Sequence, residues 1–186
     1  MMRTRTLSHY GEKFVMGRTL DVPAIFDVNC LFGHWPRGGL DASLPTVLSL
    51  LRRAGIQSAV VASLRGALYD DTTGNEETQR VCREYSNLVP AGYLCLRRTL
   101  DVERDVAALA ARGFRVLRLG REWEGWPMDY APLRLALRGA SKVGIPVIIA
   151  ALAPGDLTAL ARQLEEAGPV IVTGVNVSHT PLAAEA

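Results

Sequence analysis

The sequence predicts an α/β protein built of consecutive parallel β/α units, about six in number, forming an open sheet or an incomplete barrel. Two observations carry this. The first is a punctuation repeated four times, Ala54-Gly55-Ile56, Arg112-Gly113-Phe114, Val143-Gly144-Ile145 and Ala167-Gly168-Pro169, in which a glycine closes a helical pattern and an apolar strand follows. Glycine suits that place because the residue after a helix often turns left-handed, which a Cβ penalises. The second is that the strands are apolar on both faces, Ala59-Val60-Val61-Ala62 most clearly, as expected for a parallel sheet covered by helices. Helix, glycine, strand is the rhythm of a wound α/β protein.

Taken in order, Ile25 to Gly33 passes from a β-forming run into polar residues and a glycine, and is the first strand. A helix starts near Ser43 with Pro45 in its first turn, and Leu44, Val47, Leu48, Leu51 and Ala54 form its apolar stripe. Gln57 to Leu64 is the second strand and Arg65 to Gly74 a polar loop. Asn75 is read as the cap of a helix turning Val81, Cys82 and Tyr85 inward, with Val89 to Cys95 as the third strand. Asp101 caps a helix carrying Val102, Val106, Leu109 and Ala110, and Phe114 to Leu119 is the fourth strand. The loop Gly120 to Tyr130 holds Trp123 and Trp126 and leads into a helix burying Leu133, Ala136, Leu137 and Ala140. Pro146 to Ala151, Asp156 to Ala167 and Val170 to Val175 complete the pattern as strand, helix and strand.

At 186 residues, with 48% hydrophobic and 22% charged, the chain suits one globular domain, residues 23–186, preceded by a basic arm, residues 1–22. A closed eight-stranded barrel typically needs about 250 residues, so the chain is expected to fall short at its carboxyl end and to expose sheet edges. A second copy or another partner is expected to cover them. A net charge of +2, without a run of like charge beyond the arm, argues against nucleic acid. The longest apolar run, Val143 to Pro154, is too short for a bilayer span, which needs about 20 residues, and no membrane association is expected. Cys30, Cys82 and Cys95 lie far apart and read as buried thiols of a reducing compartment, with the cytoplasm as the expected location.

Several segments resemble the amidohydrolase-related family of the metal-dependent hydrolase superfamily. They are Phe26-Asp27-Val28-Asn29, Gly74-Asn75-Glu76-Glu77 with Val89-Pro90-Ala91-Gly92, and the run from Gly113-Phe114-Arg115-Val116-Leu117-Arg118-Leu119 through Trp126-Pro127-Met128-Asp129-Tyr130 to Gly144-Ile145-Pro146-Val147-Ile148-Ile149. The resemblance implies a TIM-barrel-like fold with a hydrolase or decarboxylase site for a small carboxylate-bearing molecule at the carboxyl ends of the strands. It also implies metal ligands: a His-x-His pair after strand one, histidines after strands five and six, and an aspartate after strand eight. Here those places fall on Asn29 and Leu31, on Ala150 and near Asn176, and the eighth strand lies beyond the six read here. Leucine and alanine ligate nothing and an amide oxygen is a poor ligand for a transition metal. No metal ligand is assigned and no cofactor expected, a divalent metal being the alternative.

The remaining candidates are read from position. His34, in the first β/α loop, is either a general base or a loop histidine packed on Trp35. Arg118 and Glu122 follow the fourth strand. Arg118 either grips a substrate carboxylate, with Glu122 as a catalytic group and Trp126 enclosing the ligand, or is paired internally with Glu122 or Asp129. Asp27 and Asn29 are expected on the same side of their strand, Asp27 in a structural role and Asn29, with Asn176, touching ligand. Asp70 with Asp71 offers a weak cation site or a solvated loop, and His179 an isolated substitute ligand or a surface tail. Two functions compete: an amidohydrolase-like enzyme acting without the usual metal, and a non-catalytic ligand- or protein-binding module on the same scaffold.

Overall fold

The structure is a computed structural model. It describes residues 24–164 and 167–175, together with the backbone pairing of a two-stranded antiparallel ribbon, β1 (Phe14–Val15) and β2 (Arg18–Thr19). The rest of the basic arm, Asn176 and His179 lie outside the described residues.

Six parallel strands form one sheet whose spatial order is the order of the chain: β3 (Ile25–Phe32), β4 (Ile56–Ser63), β5 (Leu88–Tyr93), β6 (Val116–Arg118), β7 (Val147–Ala150) and β8 (Val170–Thr173). Each new strand is added beside the last, as in a singly wound barrel, and among the described residues β3 and β8 each have one strand neighbour. The result is an open part-barrel, as the sequence predicts. The helices between strands are α1 (Leu44–Arg53), α2 (Leu64–Leu68), α3 (Asp71–Glu84), α4 (Val102–Ala111), α5 (Arg121–Glu124), α6 (Ala131–Val143) and α7 (Gly155–Ala161). No helix among the described residues is long and apolar enough to cross a membrane.

Alternation along the strands builds two separate apolar layers. Ala59 and Val61 of β4 join Val47 and Leu51 of α1 and Val81 of α3 on the helix side, while Val60 and Ala62 join Ala91, Val116 and Ile148 on the concave side. The largest cluster packs α4 and α6 against β6 and β7 through Val106, Phe114, Leu117, Leu133, Leu137 and Ile149. Gly55, Gly113 and Gly144 take positive φ of 71°, 93° and 71° after their helices, whereas Gly168 does not. Asp101 caps α4 by accepting the Arg104 N–H at 3.2 Å. Ser43 flanks α1 with Pro45 in its first turn, but Ala54 is exposed and drops out of the predicted stripe.

The stretch Arg65 to Gly74 departs from expectation: it is not a loop but two helices, α2 and the first turn of α3. Its glycines permit contact instead of breaking helices. A Cβ on Gly74 would lie 2.1 Å from the Gly66 nitrogen, so α2 and α3 cross with nothing between their backbones. Asp70, not Asn75, caps α3, accepting the Thr73 N–H at 2.8 Å. Asn75 is buried inside α3 and clasps Tyr93 of β5, donating to its carbonyl at 2.8 Å and accepting its N–H at 2.7 Å. Tyr85 ends α3 half-exposed where an inward side chain was predicted.

A bulge corrects the reading of Asp27 and Asn29. Asp27 is in register with Ala59 and Cys30 with Val61, so Val28 and Asn29 together stand opposite the single residue Val60. Register partners share a face of a sheet. Asp27 and Cys30 therefore belong with the helix-side residues, and Asn29 lies toward the concave side. Burial, with a smaller contribution from the Asp27 charge, pushes the Cys30 thiol up to about 11, and burial alone does the same for Cys82.

Candidate functional site

The carboxyl ends of the strands are brought together by curvature. Arg118 ends β6 in register with Tyr93. Its Nη1 donates to the Asn29 side-chain oxygen on β3, and Nη2 pairs with Glu122 Oε1 of α5 at 3.0 Å. Two strands, β4 and β5, separate β3 from β6. Across a flat sheet that would be roughly 14 Å, three spacings of about 4.8 Å, so the contact exists because the sheet curls and the two side chains meet on its concave side. The Arg118 side chain is 6% exposed and that of Glu122 18%.

This group leaves polar atoms without partners. Arg118 Nε, Glu122 Oε2 and Trp123 Nε1 are all buried and unbonded among the described residues. Two donors and one acceptor at the end of a curled parallel sheet can take a small anion: a carboxylate accepts from Arg118 Nε–H, and Glu122 Oε2 can accept a proton or a hydroxyl. Above them the Trp123 and Trp35 rings meet edge to face at 5.5 Å, joining α5 to the loop after β3.

The short helix α5 is held from both sides. Arg121 and Asp156 form a buried two-pronged pair at 2.8 and 2.9 Å, Arg121 Nε donates to the Trp126 carbonyl at 3.1 Å, and Asp156 also accepts the Leu152 and Ala153 amides at 2.6 and 2.7 Å. On the other side Glu124 accepts from the Tyr93 hydroxyl at 3.1 Å and from the Cys95 thiol at 3.4 Å. Burial first, then the Glu124 charge, drives the Tyr93 hydroxyl far above its ordinary range, so it remains a donor. Gly120 must be glycine for this closure, since a Cβ there would fall 1.5 Å from the Tyr93 oxygen.

Of the residues predicted for the site, Asn29, Arg118 and Glu122 come together, and the internal partner of Arg118 is Glu122, with Asp129 left exposed. Trp126 is placed elsewhere. It is 1% exposed, lies in the core beside Leu119, Met128 and Leu133, and stacks on Tyr130 at 6.0 Å, so its ring seals the helix side. His34 is exposed and lines a different cavity, with Ser63, Arg65 and Glu77. Asn176 lies outside the described residues. Asp70 and Asp71 are engaged as a cap and as the acceptor of the Cys95 amide at 3.0 Å, with Arg98 3.7 Å from Asp71, which displaces the cation reading. Sequence reasoning missed Tyr93, Glu124, Arg121 and Asp156. For Arg121 the available signal was a second arginine three residues after Arg118; nothing in the sequence pairs it with Asp156.

Among the described residues, those at the expected metal positions do not fit a metal. The Asn29 oxygen is taken by a guanidinium, Leu31 packs in the concave apolar layer, and Ala150 carries no ligand atom. Among the described residues no three His, Cys, Asp or Glu side chains are grouped to hold an ion. A cation beside Arg118 would also meet like charge.

No family model matches the sequence, and neither does any curated protein. Solved structures do. A probable 2-pyrone-4,6-dicarboxylic acid hydrolase from Acinetobacter baumannii, crystallised with citric acid, superposes with a TM-score of 0.57 at 18% identity over 80% of this chain. An uncharacterised TIM-barrel protein from Bordetella bronchiseptica superposes with a TM-score of 0.50 at 17% identity over 70% of this chain. The matches span 57% and 50% of those two chains. At such identities the likeness is one of fold: this chain carries six successive β/α units of a TIM-barrel type.

Proposed function

We propose that this chain is an amidohydrolase-like protein that binds a small carboxylate on the concave side of its sheet, with Arg118 as the anchor. The observation that carries the reading is a 95%-buried arginine whose Nε–H has no partner among the described residues, beside the unpartnered second oxygen of its ion-pair partner Glu122. Buried donors left unpaired are costly, and a bound carboxylate would satisfy them. Asn29 and Glu122 hold the guanidinium in place, and Glu122 Oε2 is the group able to take the proton of an attacking water during hydrolysis. The proposed chemistry uses no metal, since Leu31 and Ala150 carry no ligand atom and the Asn29 oxygen is taken by Arg118.

Isothermal titration with citrate tests the binding. Saturable binding that Arg118→Met weakens tenfold or more supports the proposal, and binding indifferent to Arg118 overturns it. The second reading is a binding module without turnover, which the apolar Leu31 and Ala150 favour. Incubation with 2-pyrone-4,6-dicarboxylate, with substrate followed by chromatography, separates the two: consumption abolished by Glu122→Gln marks an enzyme, and binding without consumption marks the module.

A further inference from the structure

A second cavity lies on the opposite side of the sheet from Arg118. It measures about 540 Å³ and is lined by His34 after β3, Ser63 at the end of β4, Arg65 and Tyr69 of α2, and Glu77 of α3. Ser63 is in register with Phe32, a residue of the helix-side core, and its hydroxyl donates to Glu77 Oε2 on α3 at 2.7 Å. That fixes the cavity to the convex, helix-covered side, whereas the Asn29–Arg118 contact crosses the concave side.

The walls are built of polar side chains that largely pair with one another. Ser63 is 1% exposed and uses its hydroxyl twice, toward Glu77 and from the Arg65 amide at 3.1 Å. Glu77 spends its other oxygen on Arg65 Nε at 3.1 Å. Asp70 accepts the amide and hydroxyl of Thr73 on one oxygen, Oδ2, at 2.8 and 2.5 Å. What stays uncommitted among the described residues is the pair of terminal nitrogens of the half-exposed Arg65, the ring of His34 and Asp70 Oδ1, with the half-exposed Tyr69 ring beside them. The Gly66–Gly74 crossing sets this geometry, because it carries Arg65 on α2 directly against Glu77 on α3. A guanidinium tethered through Nε presents its two outer nitrogens as a fork, the shape that grips two oxygens of one anion. The volume suits a small organic ligand.

We propose that this convex-side cavity is a second binding site, for a small planar organic oxyanion, whose charged end is held between Arg65 and His34 and whose body lies against Tyr69. Carboxylate and phosphate share the two-oxygen edge the site recognises, and the test separates them. Benzoate and phenyl phosphate are titrated into ¹⁵N-labelled full-length protein while the Arg65 Nε–H and His34 ring signals are followed. The expected result is saturable movement of both signals with at least one probe, the tighter probe naming the head group. Arg65→Met should weaken that binding tenfold or more, and His34→Ala, at an exposed loop position, severalfold without changing the melting temperature. Arg118→Met should leave it unchanged, which keeps this site distinguishable from the concave one. Absence of saturable movement with both probes, movement that survives both Arg65→Met and His34→Ala, or movement abolished by Arg118→Met would each overturn the proposal.

Discussion

Arg118, at the end of β6, and Arg121, at the start of α5, are both buried and both paired with a carboxylate, yet their surroundings differ in kind. Arg121 is complete: its three side-chain nitrogens are bonded and its partner Asp156 collects two backbone amides besides. Arg118 is incomplete, with Nε and the facing Glu122 Oε2 unbonded. A buried network that closes on itself holds structure together, while one left open at the mouth of a barrel is disposed to take a ligand. The same short helix, α5, carries both Arg121 and Glu122, the partner of Arg118, so the closed network sets the position of the open one.

The largest effect that would test this contrast is on the closed side. Asp156→Ala strands a buried guanidinium and two amides, and should cost about 3–5 kcal/mol in chemical denaturation. Gly120→Ala follows: it forces Tyr93 off Glu124 and should cost about 1–3 kcal/mol, read as a lower melting temperature, with weaker citrate binding as α5 shifts. Arg118→Met should cost only about 1–2 kcal/mol while reducing citrate affinity tenfold or more. Should it destabilise as much as Asp156→Ala and leave citrate binding intact, the two arginines would be equivalent and the contrast would collapse.

The smallest effect is a control outside both networks. The Cys30 and Cys82 thiols sit near 11 in the folded protein against an ordinary 9.0. Their raised values mean that stability is whole below pH 9 and is lost as pH rises toward 11, because the unfolded chain ionises first. A denaturation series across that window should fall equally for the native protein and for Arg118→Met.

The legible part of the molecule was the part governed by neighbours in the chain. The apolar stripe of α1, the cap at Asp101, the two-faced strand Ala59 to Ala62 and the glycines after three helices all follow from spacing of a few residues, and all appear in the structure. Helix α2 and the first turn of α3 escape the sequence reading because their glycines serve a crossing, and a glycine that breaks a helix looks the same in sequence as one that lets two helices touch.

By itself the sequence determined the succession of six β/α units and the strand ends at which polar residues gather, since periodicity and capping act locally. It also placed Asn29, Arg118 and Glu122 at those ends. Only the tertiary structure decided that Asn29 and Arg118, 89 residues apart, meet, and that Arg121 finds Asp156 across 35. Those pairings depend on a bulge that re-aims one strand and on a curl accumulated over several, and neither quantity is encoded in any short stretch of chain.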